Sequence, residues 1–228
     1  MCVSYSEAFA ADYERWAADM TEDVPFYVSL AQEADGPVVE LAVGNGRVAI
    51  PVARAIGRKV IGVDSSPAML AQARDAGGDL LDLRLADMRA LELDEPAALV
   101  YCPYRALLHL PTWADRKLLF ERVRHALLPG GRFAWNAFAF DHAIAARLDG
   151  QRQEDPIPHT LHYAVGDGRI DIVLDSGETS SLWWATKNEW LGLIESSGLE
   201  VEALYGWFDL RPFDDESREL VWIARKPV

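Results

Sequence analysis

The chain has 228 residues, half of them hydrophobic, enough to bury the core of one α/β domain. A formal net charge of −14 argues against a long footprint on nucleic acid, whose phosphates would be repelled, and favours a small or peptide-sized partner. Two cysteines, Cys2 and Cys102, exclude a disulfide framework; with no secretory start and no apolar run near roughly 18 residues, a cytoplasmic protein without membrane contact is expected.

Residues 1–36 read as a helical leader, in which apolar residues recur at helical spacing from Phe9 to Met20 and predict an amphipathic lid. Of its aromatics Tyr5, Tyr13, Trp16, Phe26 and Tyr27, Tyr13 is expected to reach the site, where its ring face would attract a cation. The apolar run 38–43 predicts a buried strand, and Gly44-Asn45-Gly46 removes side-chain bulk where the backbone turns and a ligand comes close. A helix is expected from near Arg47, its free N–H groups and positive dipole end facing that ligand. Lys59-Val60-Ile61-Gly62-Val63-Asp64 gives a second strand whose terminal carboxylate can accept both hydroxyls of a ribose. Ser66 caps and Pro67 opens a helix that Gly77-Gly78 stops. Strand three covers 81–85 and ends at Ala86-Asp87, and strand four covers 97–102 and ends at Pro103-Tyr104. A helix over 112–127 is expected to break at Pro129-Gly130-Gly131 before strand five at 132–138.

After Gly150 the pattern changes. Strand-like runs near 161–165, 170–174 and 179–184 are separated by Gly166-Asp167-Gly168 and Asp175-Ser176-Gly177, so 151–185 read as a small antiparallel β insertion within one domain spanning 1–228. The insertion can form a homodimer surface, cover a ligand pocket, or do both. A helix over 187–197 and strands at 200–205 and 219–224 complete seven main strands, mostly parallel and flanked by helices, in a Rossmann-like α/β fold.

Gly44-x-Gly46-x-x-Ala49 also satisfies the dinucleotide pattern, so an NAD-dependent oxidoreductase is the competing reading. Three features weigh against it. Glu40, four residues before Gly44, places a carboxylate where a positively charged amino group fits better than a pyrophosphate. Almost forty residues precede the first strand, and Asp87 suits an adenine amino group better than a second nucleotide. Together, Glu40-Leu41-Ala42-Val43-Gly44-Asn45-Gly46, Val63-Asp64-Ser65-Ser66-Pro67-Ala68-Met69-Leu70, Ala86-Asp87-Met88 and Leu128-Pro129-Gly130-Gly131 resemble the ordered motifs of class I S-adenosylmethionine-dependent methyltransferases.

That resemblance, over roughly 38–138, implies S-adenosylmethionine as cofactor and strand order 3-2-1-4-5-7-6 with the last strand antiparallel. It also implies that Glu40 and the glycine loop lie against the methionine part, that Asp64 binds the ribose, and that Asp87 and Met88 flank the adenine. Ala42 stands where the family often has glycine. The expected cofactor set is Glu40, Ala42, Gly44, Asn45, Gly46, Arg47, Asp64, Ser65, Met69, Asp87, Met88 and Cys102. Read without the resemblance, Glu40 is also a solvated strand-end charge and Asp64 a helix-capping acid.

A sulfonium methyl donor needs a nucleophile held in line about 3 Å away with water excluded, and a base where that nucleophile is an amine or phenol. The segment 98–110 brings Tyr104, Arg105 and His109 to the carboxyl edge of strand four. His109 is the candidate base and Tyr13 the second catalytic candidate, although His109 equally reads as a helix cap or core residue. Cys102-Pro103-Tyr104 lacks the first residue and one proline of the Asp/Asn-Pro-Pro-Tyr motif of methyltransferases that act on nucleic acid bases. The segment looks more like small-molecule N-methyltransferases, including those acting on amino sugars, which implies direct displacement onto nitrogen, or oxygen, of a small acceptor. Tyr104, Arg105, Trp135, Asn136 and one of Trp183 or Trp184 are expected to line the acceptor pocket. Arg105 either anchors a carboxylate or phosphate or pairs with a neighbouring acid. A cofactor-binding sensor or scaffold without transfer activity is a further alternative. No histidine cluster has ligand spacing, so no metal is expected.

Overall fold

The computed structural model describes residues 13–17 and 20–228, so Tyr5, Phe9 and much of the expected lid lie outside the described residues. Residues 13–16 are helical. Helix α1 (Asp23–Gln32) leads to β1 (Val38–Leu41), whose four residues are all buried. Then follow α2 (Ala49–Ile56), β2 (Val60–Asp64), α3 (Pro67–Gly77), β3 (Leu81–Leu85), β4 (Ala97–Cys102), α4 (Trp113–Ala126) and β5 (Leu127–Phe138). Side chains start the helices as the sequence suggests: Ser66 Oγ accepts from Met69 N–H at 3.2 Å, and Thr112 Oγ1 from Asp115 N–H at 3.0 Å.

After α5 (His142–Leu148) comes a second sheet of β6 (Arg152–Gln153), β7 (His159–Ala164), β8 (Arg169–Leu174) and β9 (Thr179–Trp183), antiparallel in that order. Helix α6 (Lys187–Ser196) then leads to β10 (Glu200–Tyr205) and β11 (Glu219–Arg225). The main sheet runs β3-β2-β1-β4-β5-β11-β10, with β1 to β5 parallel and β11 antiparallel to both neighbours. This is the order that the motifs imply.

Alternation along β4 divides the core between two sheet faces. Val100 and Cys102 join Phe120, Phe133, Trp135, Trp190 and Trp222 in one cluster. Leu99 and Tyr101 join Phe26, Tyr27, Val52 and Leu70 in the other. A smaller cluster, Ile157, Ile172 and Leu174 with Trp16 against it, holds the insertion.

One expectation is corrected. Pro129-Gly130-Gly131 does not separate α4 from the strand, because β5 starts at Leu127 and runs through it. The three residues form a bulge: pairing steps from Ala97 opposite Leu127 to Leu99 opposite Arg132. Lys226 closes it, its carbonyl accepting from Gly130 N–H and its N–H donating to the Gly131 carbonyl, each at 2.9 Å. The topology reverses between β1, which continues to β2, and β4 on its other side, so the carboxyl ends of these strands open a crevice.

Candidate active site

A cavity of about 310 Å³ occupies this crevice. One wall comes from the ends of β1, β2 and β3 and carries Glu40, Ala42, Gly44, Asp64, Ser65, Met69, Asp87 and Met88. The turn after β4 and the insertion add Arg105, His109, Ile172, Ser180 and Leu182, with Tyr13, Trp16, Arg47, Arg89 and Tyr104 also lining the space.

Glu40, one residue before the end of β1, is almost wholly buried; its Oε2 has no hydrogen-bond partner among the described residues, and the Tyr101 hydroxyl of β4 interacts with its carboxyl. Burial pushes its carboxyl up to about 8. Asp64 ends the neighbouring strand and ties the two turns together, Oδ2 accepting from Gly44 N–H and Oδ1 from Ser66 N–H, both at 2.8 Å. Burial raises its carboxyl against these bonds, and each oxygen keeps a second lone pair. Asp64 is therefore a turn acid and a cavity acid at once.

Gly44 lies on the wall at φ +55°, and Ala42 adopts φ +53°, a left-handed conformation that costs a side-chain-bearing residue about 1–2 kcal/mol. Gly46 answers a different demand. A Cβ there would stand 2.9 Å from Ile50 Cδ1, so this glycine makes room for α2 and not for a ligand. Asn45 Oδ1 accepts from Arg47 N–H at 3.2 Å, and neither Asn45 nor Gly46 lines the cavity. Helix α2 begins at Ala49, leaving Arg47 in the preceding turn. There Arg47 forks onto Asp23 at 2.8 and 2.5 Å and donates to the Met20 carbonyl at 2.7 Å. Asp87 pairs with Arg89, which holds its carboxyl below the usual range and also reaches Asp115.

Tyr104 and Arg105 are consecutive left-handed residues, φ +56° and +62°. The Tyr104 hydroxyl donates to the Trp16 carbonyl at 2.8 Å, its ring meets Tyr13 edge-on at 5.7 Å, and the Arg47 guanidinium lies 5.1 Å from its centroid. Burial raises the Tyr13 hydroxyl above the usual phenol range. Arg105 pairs with the fully buried Glu219, and Asn136 Nδ2 donates to that carboxylate at 2.6 Å. Asn136 Oδ1 in turn accepts from the Tyr27 hydroxyl at 3.3 Å. Asn136 thus supports the turn from beneath and is not on the wall. His109 is on the wall, hydrogen-bonded to the Ser181 backbone, and burial lowers its imidazole to about 4.

Four other expected residues lie off the cavity wall. Cys102 is fully buried in the core. Trp135 stacks on Trp222 and Phe133 at 5.9 and 4.7 Å, and Trp184 stacks on Phe140 at 3.9 Å. The Trp183 carbonyl accepts from Arg116, and its side chain is half-buried off the wall. The insertion faces the cavity instead with Ile172, Ser180 and Leu182. Trp135→Phe is expected to cost about 1–2 kcal/mol of stability, as for a core truncation, with S-adenosylhomocysteine affinity unchanged by titration calorimetry. A loss of affinity without a loss of stability would return Trp135 to the site. Asp23 and Glu219, the buried partners of Arg47 and Arg105, did not emerge from the sequence; nor did Ile172, Ser180 and Leu182.

Comparison with known proteins gives consistent results. A family described as a methyltransferase domain matches residues 38–131. Trans-aconitate 2-methyltransferase of Azoarcus sp. (strain BH72) is 31% identical over 218 residues, covering 90% of this chain and 78% of its own. The CcbJ methyltransferase from Streptomyces caelestis superposes with TM-score 0.81 at 25% identity, covering 99% of this chain and 98% of its own. CalS10, an amino pentose methyltransferase from Micromonospora echinaspora solved with S-adenosylmethionine bound, gives 0.68 at 19% identity, covering 97% and 98%, and shares the fold.

Proposed function

We propose, since this chain belongs to the class I S-adenosylmethionine-dependent methyltransferases and takes S-adenosylmethionine as cofactor, that it methylates a nitrogen or oxygen of a small molecule by direct displacement. Family membership sets aside the NAD-dependent reading of the glycine loop. The observation that carries the proposal is Glu40 Oε2, a buried carboxylate oxygen on the cavity wall that makes no hydrogen bond among the described residues, while the Tyr101 hydroxyl interacts with this carboxyl. A ligand ammonium would satisfy it, as the cofactor's amino group does by its chemistry. The remaining lone pairs of Asp64 fit the ribose hydroxyls, and Asp87 and Met88 fit the adenine. Ala42, Gly44, Ser65 and Met69 shape the space between.

Bound there, S-adenosylmethionine supplies a methyl group activated by a sulfonium centre. Tyr13 offers a ring to a cation. The 13–17 segment acts as a lid that excludes water: Trp16 sits on His159 at 4.9 Å and its carbonyl accepts from the Tyr104 hydroxyl. Residues 151–185 cover the acceptor side of a single domain. The acceptors named for two relatives, trans-aconitate and an amino pentose, are small molecules, which supports that part of the reading.

His109 acts as a neutral acceptor beside the nucleophile. His109→Ala is expected to lower turnover about 100-fold. The drop should be constant between about pH 6 and 9, because an imidazole held near 4 is neutral throughout. Turnover within twofold of the parent would remove it from the reaction. The proposal as a whole is tested by titration calorimetry with S-adenosylhomocysteine and NAD, followed by transfer of a labelled methyl group to amines, amino sugars and organic acids. Tight NAD binding without S-adenosylhomocysteine binding ends it.

A further inference from the structure

Resting on the methyltransferase reading of the cavity, we infer that the acceptor carries a carboxylate, seated on the outer edge of Arg105 beside the Ser180 hydroxyl. A guanidinium presents five N–H donors in a planar fork. Glu219 occupies the inner edge, 3.1 and 3.2 Å from Nε and 2.8 Å from Nη2. Both Nη1 protons and the second Nη2 proton remain, and no described residue places an acceptor on them. The side chain is 34% exposed and lines the cavity, and the outer edge of a guanidinium has the spacing of two coplanar carboxylate oxygens. Ser180 lines the same cavity from β9, and its hydroxyl has no hydrogen-bond partner among the described residues.

The rest of this wall is uncharged. Leu110, Ile172 and Leu182 are apolar, and burial keeps the His109 imidazole neutral. Of the carboxylates lining the cavity, Glu40, Asp64 and Asp87 belong to β1, β2 and the end of β3, and Glu219 is engaged by Arg105 and Asn136, so the segment after β4 and the insertion bring no free carboxylate for an ammonium. Arg105 and Glu219 sum to zero charge, so the seat suits a planar monoanion better than a phosphate dianion. The seat orients the acceptor, whichever atom receives the methyl group.

The test uses the whole protein saturated with S-adenosylhomocysteine, titrated with succinate, citrate, benzoate and phenylacetate, with the primary amide of each, and with inorganic phosphate and phenyl phosphate. At least one carboxylate is expected to bind at least tenfold tighter than its amide and than either phosphate. Arg105→Lys, which keeps a cation for Glu219 but removes the fork, should weaken that carboxylate tenfold or more. The uncharged pair Arg105→Gln with Glu219→Gln should do the same, and guards against a single variant that fails to fold. S-adenosylhomocysteine affinity should stay within threefold in both. Equal binding of acids and amides, tighter phosphates, no carboxylate bound at about 10 mM, or carboxylate binding untouched in Arg105→Lys would each overturn the inference. Failure of the parent protein to bind S-adenosylhomocysteine would strike the methyltransferase reading instead, and carboxylate binding would then be measured on the ligand-free protein.

Discussion

Replacing Glu40 with glutamine is expected to weaken S-adenosylhomocysteine binding about 10- to 100-fold at alkaline pH and to raise the thermal midpoint of the ligand-free protein there. Both effects come from one buried carboxylate. A glutamate titrates near 4.5 in the unfolded chain, and burial lifts Glu40 to about 8 in the folded one. Between these values the folded state holds a proton that the unfolded state has released, so stability falls as pH rises. Its contribution is fully present below about 4.5 and lost through about 8; at about 1.4 kcal/mol per pH unit, the ceiling is on the order of 5 kcal/mol. Glutamine has no proton to lose, so calorimetric scans between about pH 5 and 9 should show a flatter dependence in the variant. The parent near neutral pH should release a proton on binding the ligand's ammonium group, giving different apparent heats in phosphate and Tris. Parallel stability curves, or unaltered affinity, would place the cofactor's amino group elsewhere.

Arg47→Met should cost about 3–5 kcal/mol, a fall of roughly 6–20 °C in thermal midpoint. Asp23 is fully buried and meets Arg47 through both carboxylate oxygens. Removing the guanidinium leaves a buried charge in the first turn of α1 without its partner. Adding Asp23→Asn should recover much of the loss, because replacing both charges avoids that penalty. A double variant no more stable than Arg47→Met would show that the arginine matters through its bond to the Met20 carbonyl and its stacking on Tyr104, and not through the acid.

The wall proposed for the cofactor was legible as a cavity wall because its residues lie within a few positions of strand ends, where periodicity, glycine and a terminal carboxylate stand side by side. The partners of its charges were not. Arg47 and Asp23 are 24 residues apart, and Arg105 and Glu219 are 114 apart, distances over which no local pattern carries information. The tryptophans failed for another reason. Strand β5 is covered on both faces, so alternation cannot say which aromatic meets a cavity and which meets the core, and Trp135 meets Phe120, Trp190 and Trp222. In the insertion the usable signal was Ser180, a small polar residue in step with Leu182, rather than the larger Trp183 and Trp184. Gly46 was legible as a glycine but not as a packing glycine, since the need for it lies in Ile50 on the next helix.

The hydrogen bonds of His109 and Arg116 to β9 also close one border of the insertion's sheet. In an antiparallel sheet a border strand leaves every second residue's backbone groups pointing outward, a template for any passing strand. On β9 two of these outward carbonyls, Ser181 and Trp183, are already claimed by an imidazole and a guanidinium from the turn after β4 and from α4. The border is sealed by side chains rather than by another strand. Within this sheet the other border is β6, only two residues long, so the insertion offers little open ladder for a further strand.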